Sequence, residues 1–92
     1  MAMETAMAIR GAVGGKMDIR ELDTIVLAHD IAEKGLRLND IGAVVHCYPG
    51  GEAFEVEFVK GEGDTVAVLT LARADIRPIR ASEIMSVREL AA

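Results

Sequence analysis

Ala53–Lys60 reads AFEVEFVK. Phe54, Val56 and Phe58 alternate with Glu55 and Glu57, a period of two that belongs to an antiparallel strand with one face buried and one face in water. Turn signals bracket it. Pro49–Glu52, PGGE, sets φ with a proline and follows it with two glycines able to take left-handed angles. Gly61–Asp64, GEGD, is a second tight connection with glycines at Gly61 and Gly63. The strand therefore sits between two hairpins.

The neighbours follow from that frame. Upstream, Ile41–Tyr48 (IGAVVHCY) is a strand, and Gly42 inside it predicts a bulge or a close backbone crossing. Before it, Ala32–Asp40 (AEKGLRLND) is a long polar loop in which Gly35 supplies a positive φ. Asp23–Ile31 (DTIVLAHDI) is a first strand, with Ile25, Leu27, His29 and Ile31 on one face. Downstream, Thr65–Ala72 (TVAVLTLA) is apolar on both faces. Arg73–Ile79 (RADIRPI) is a short helical turn and then a brief edge strand, since Pro78 cannot donate a ladder hydrogen bond. From Ala81 the period changes. Ser82 is an N-cap, and Ile84, Val87 and Ala91 share a helical stripe, which predicts a short C-terminal helix over 81–92.

The expected fold is mainly β: a small five-stranded SH3-like barrel at 17–80, preceded by an N-terminal extension at 1–16. The extension is rich in Ala, Met and Gly; Met3 and Met7 lie one helical turn apart, and Met17 offers a second plausible beginning. The chain has 92 residues, 51% of them hydrophobic, and only three aromatics. One domain of this size has a modest core, built here from Val, Ile, Leu, Ala and Met, and shared burial with a second chain would help it.

The net charge of −5 repels phosphate backbones and anionic lipid at range. A single cysteine cannot form an internal disulfide. No apolar run approaches the roughly 20 residues of a membrane span, and Glu4 stands where a signal peptide needs a basic region. A cytoplasmic protein is expected, without membrane and without nucleic acid as its main partner.

The segment from Leu22 to Ile79 resembles a family of small bacterial proteins of unknown function. The shared pattern is LDxVVL, then GLxxGDxGxVV, YEVEF and a DIRP-like turn, met here by LDTIVL, GLRLNDIGAVV, FEVEF and DIRP. Asn39 replaces the usual Gly of the second motif, and Asn tolerates the left-handed region better than most residues. That motif is also similar to the KOW repeats of NusG-type proteins. The resemblance implies an SH3-like fold and brings no catalytic residues with it. The expected structural turn positions are Gly35, Asn39, Asp40, Gly42, Pro49, Gly50, Gly51, Gly61 and Gly63.

Chemical sites are sparse. His46 and Cys47 are adjacent, but neighbours on a strand point to opposite faces and cannot form a Cys–His pair. With His29 they make three His and Cys residues lacking zinc-site spacing, so Cys47 reads as a small buried hydrophobe. The glycine loops join strand to strand and are acidic, unlike phosphate loops. Glu55 and Glu57 lie about 7 Å apart on one face. A solvated acidic face that meets a basic partner fits them better than a glycosidase pair.

Val66, Val68, Leu69 and Leu71 are the candidate interaction surface together with Glu55 and Glu57, because outward apolar residues on a one-layer barrel mark an interface. The expectation is a non-catalytic protein-interaction module with no cofactor and no metal. It would self-associate as a homo-oligomer or pair with a protein, in an antitoxin- or immunity-like role for example. The alternatives are a KOW-like nucleic-acid or ribosome module using Arg73, Arg77 and Arg80, and an accessory subunit of an enzyme, as in the nitrile-hydratase family, by fold analogy.

Overall fold

The computed structural model describes residues 19–90. Five antiparallel strands form one sheet: β1 (Thr24–Leu27), β2 (Ile41–Cys47), β3 (Ala53–Val59), β4 (Thr65–Ala72) and β5 (Ile76–Pro78). Their spatial order is β4-β3-β2-β1-β5. Strands β1 to β4 run as a meander, and a 3-10 turn at Arg73–Asp75 sends the chain back so that β5 pairs with β1. β4 and β5 are the two edges, and they are not hydrogen-bonded to each other, so the sheet does not close.

Alternation decides which side chains go inside. Cys47, Phe54 and Leu71 lie in register across β2, β3 and β4, as do Val44, Val56 and Leu69 one step along. These rows point inward and meet Ile25, Leu27 and Ile76 from β1 and β5 in one apolar cluster, joined by Ile19 and Leu36. No helix layer covers this face among the described residues. The curvature of the sheet itself brings the strands' inner faces together.

The β1–β2 loop is built as its motif requires. Gly35 adopts φ 71° after the 3-10 turn at Ala32–Lys34. Asn39 adopts φ 74°, taking the left-handed position without a glycine. Asp40 then closes the turn by accepting the Arg37 backbone N–H at 2.8 Å. Gly42 is a close approach: a Cβ there would meet Val56 Cγ1 and Phe58 Cε1 at 2.7 Å. The bulge of β2 lies further along, between Val44 and His46.

Two sequence expectations need correction or restriction. The C-terminal helix is not formed. Residues 81–90 make a turn and then an extended strap, with Ile84 89% and Val87 97% exposed. An amphipathic stripe produces a helix only against a surface that accepts it, and about three turns alone are marginal in water. The expected barrel is, as described above, an open five-stranded sheet. The extension at 1–16, with Met3 and Met7, lies outside the described residues.

Candidate functional site

The outer face of β2, β3 and β4 carries the most ordered polar arrangement. His46, Glu55 and Thr70 form one cross-strand row, and Ala43, Glu57 and Val68 form the next. One carboxylate oxygen of Glu55, Oε1, accepts from Thr70 Oγ1 at 2.7 Å and from the Tyr48 hydroxyl at 3.0 Å. Thr65 Oγ1 donates to Glu57 Oε2 at 2.7 Å. The Glu55 carboxylate holds the Tyr48 phenol above its ordinary pKa, because the neutral phenol is the hydrogen-bond donor. His46 packs edge-on against the Tyr48 ring at 4.7 Å and lies 3.5 Å from Glu21. Both glutamates are thus fixed by hydroxyl groups on a half-exposed face.

The four apolar residues of β4 divide. Leu71 is buried, and Leu69 and Val66 pack against the core. Val68, 48% exposed beside Glu57, is the one that faces out. The face of β4 that carries Leu69 and Leu71 closes the core, and Val68 lies on the other.

His46 and Cys47 part as strand geometry requires. His46 faces out, while Cys47 packs against the core with its thiol 3.6 Å from the Ile19 carbonyl. Burial, and then the negative charges of Glu21 and Asp23, push that thiol above its ordinary pKa, which suppresses the thiolate a nucleophile needs. His29 sits elsewhere, bonded through Nε2 to Asp75 Oδ1 at 2.8 Å. That bond raises the His29 pKa and lowers that of Asp75. Among the described residues no three His, Cys, Asp or Glu side chains gather as a metal site.

The three arginines of the nucleic-acid alternative are engaged within the chain. Arg77 forms a two-pronged pair with Glu83 at 2.9 and 2.7 Å, and Arg80 Nη1 lies 3.6 Å from the same carboxylate. Arg73 donates from Nε and Nη2 to the Gly51 carbonyl and lies over the Phe54 ring.

The strap is pinned at two points that the sequence pattern does not mark. Glu83 holds one end through Arg77. Arg88 holds the other, with Nε 2.8 Å from Asp40 Oδ1 and Nη2 2.8 Å from the Gly35 carbonyl. The arginine partners hold the carboxylate of Glu83 down at about 2 and that of Asp40 below its ordinary value. Clefts of about 650 and 290 Å³ flank the strap, one toward the β3–β4 hairpin and one over Val26 and Leu38. Ion pairs between residues 40 and 88 have no periodic signature. Asp40 itself was legible only as a turn residue.

The site belongs to a mainly β protein made of one antiparallel sheet, and no helix of the described residues is long and apolar enough to cross a membrane. Residues 21–78 match the family described as a domain of unknown function, DUF4926, and the chain belongs to that family. Comparison with curated proteins and with solved structures returns no match.

Proposed function

We propose that this chain is a non-catalytic, cytoplasmic protein-binding module on an SH3-like sheet, and that its outer acidic face receives a basic protein. The strand order, the long β1–β2 loop and the 3-10 turn before β5 support the SH3-like assignment. The observation that carries the functional reading is the pair Glu55 and Glu57, locked by Tyr48, Thr70 and Thr65. Carboxylates already held in place lose little freedom on binding, so more of their attraction for Lys or Arg survives as affinity. An antitoxin- or immunity-like protein facing a small basic toxin is one concrete form.

The test compares the chain with the double variant Glu55→Gln, Glu57→Gln, in which the side chains keep their size. Both are used to capture proteins from the source cells, and each captured protein is then titrated at rising salt. One stoichiometric basic protein, bound by the wild type, weakened by salt and lost by the double variant, is the expected result. Equal capture by both chains overturns the reading. RNA captured in its place, and lost on Arg77→Glu, transfers support to the KOW-like alternative.

A further inference from the structure

His29 is held between two oxygens. Its Nδ1 lies 2.9 Å from the Asp30 carbonyl and its Nε2 lies 2.8 Å from Asp75 Oδ1. Neither oxygen has a proton to give at neutral pH, so each bond needs a proton on the ring nitrogen. A neutral imidazole has a single N–H, and only the imidazolium donates from both nitrogens. The geometry therefore selects the charged ring, and its bond to the Asp75 carboxylate is charge-assisted.

That carboxylate occupies a junction. Its other oxygen, Oδ2, accepts the Ala72 N–H at 2.8 Å and caps the 3-10 turn at Arg73–Asp75. The Asp75 carbonyl accepts the Ala28 N–H at 2.8 Å. Next comes β5, three residues that pair with β1 alone among the described strands. β5 ends in Pro78, which has no N–H to donate. It also carries Arg77, which holds Glu83 of the strap. On so short an edge, the contacts at its start weigh heavily.

We propose that His29 is a pH-sensitive clasp: its imidazolium, donating to Asp30 and to Asp75, fastens the 3-10 turn and β5 to the end of β1, and its deprotonation loosens β5 and the Arg77 attachment of the strap. The clasp uses none of the residues of the acidic face and goes beyond partner binding. The charged groups facing the ring are Asp75, from the turn, and Asp30, from its own loop. The Asp75 bond first and the Asp30 carbonyl second raise the His29 pKa, both negative charges act in the same sense, and partial desolvation opposes them. The Asp30 carboxylate accepts the Leu38 N–H at 2.8 Å and attracts Arg88 of the strap. Arg73, in the same turn as Asp75, donates to the Gly51 carbonyl.

A group whose pKa rises on folding adds stability that is full below its unfolded value, ordinarily 6.5, and is lost as pH climbs through its folded one. The clasp is therefore closed in mild acid and opens toward alkaline pH, opposite in sense to Glu83. The pair is partly exposed, so its effect on global stability is small. Opening a three-residue edge costs far less than unfolding the sheet, and a weak pair registers there.

The experiment is NMR of the full chain from about pH 5 to pH 9, combining long-range proton–nitrogen spectra of the His29 ring with amide exchange. At pH 6.5, where an ordinary histidine is half-protonated, His29 is expected to be mainly imidazolium. Across its higher midpoint, protection of the Ala28 and β5 amides, corrected for the intrinsic pH dependence of exchange, should fall on the order of several-fold. Strap amides should follow, and β3 amides should not. His29→Gln keeps a neutral donor toward Asp75 but no titrating ring, and is expected to flatten the step with the fold intact. Asp75→Asn keeps an oxygen for the Ala72 N–H and is expected to lower the midpoint.

A His29 midpoint at or below 6.5 overturns the clasp, as does β5 protection that stays flat through the midpoint. A step of the same size in folded His29→Gln assigns it to another group and overturns the clasp too. β5 loosening with the strap unmoved overturns the link through Arg77.

Discussion

Strand β3 and the C-terminal strap each carry apolar residues at a regular spacing, yet only one of them buries them. Phe54, Val56 and Phe58 are all buried, while Ile84, Met85 and Val87 stand in water. The difference lies in what surrounds each segment. β3 has hydrogen-bonded strands on both sides, and their inward rows complete its apolar face. Among the described residues the strap has no hydrogen-bonded strand beside it, and carboxylate–guanidinium pairs at Glu83 and Arg88 hold it. Periodicity states what a segment is able to bury. Neighbours decide whether it does.

The largest effect breaks this contrast directly. Phe58→Ala is expected to destabilise the chain by about 3–5 kcal/mol, because a buried ring leaves a cavity in a small core. Val87→Ala is expected to change stability hardly at all. Urea denaturation of both variants checks it. Comparable losses would mean that the strap belongs to the core.

A smaller effect tests the β2–β3 packing. Gly42→Ala is expected to cost about 1–3 kcal/mol, since the new methyl would meet Val56 and Phe58 far inside contact distance. A thermal melt of this variant would fall below wild type. Combined with Phe58→Ala the cost should shrink, because the ring that opposes the methyl is gone.

Much of the sheet was legible in the sequence because strands write their environment in every second residue. The alternation at Phe54–Phe58, the turns PGGE and GEGD, and Pro78 on an edge each reflect a local rule, and β3, both hairpins and β5 follow them. Gly42 reads as a bulge or a close backbone crossing; what stands close to it are the side chains of Val56 and Phe58, and the bulge lies further along, between Val44 and His46. Illegible were the contacts that join distant residues without a period. Arg88 with Asp40 and Arg77 with Glu83 pin a C-terminal segment whose spacing alone implies a helix. Of the candidate surface, Glu55 and Glu57 were readable as one face. Their locking hydroxyls, Tyr48, Thr65 and Thr70, depend on strand register, which the sequence does not state. The apolar residues of β4 were readable as a surplus, but their division between core and surface needed the pairing with β3.

The smallest effect concerns how the strap is held, and acid sharpens it. The pairing with Arg77 holds the folded-state pKa of Glu83 at about 2, below the ordinary value of 4.5. A carboxylate whose pKa is depressed on folding contributes attachment that is fully present above its unfolded value and is lost as pH falls through its folded one. Asp40, lowered by Arg88, acts in the same sense at the other end.

Amide exchange followed from pH 5 to pH 2 should therefore show the strap, residues 83–88, still attached at pH 4 and opening toward pH 2. The amides of β3 should not follow the titration of Glu83, since the strand is held by its hydrogen-bonded neighbours on both sides and by the burial of Phe54, Val56 and Phe58. Arg88→Ala should open the Asp40 end at neutral pH and leave the Glu83 end attached until acid releases it. If strap and β3 lose protection together at one pH, the two regions form a single cooperative unit. The contrast between them would then be one of composition and not of stability.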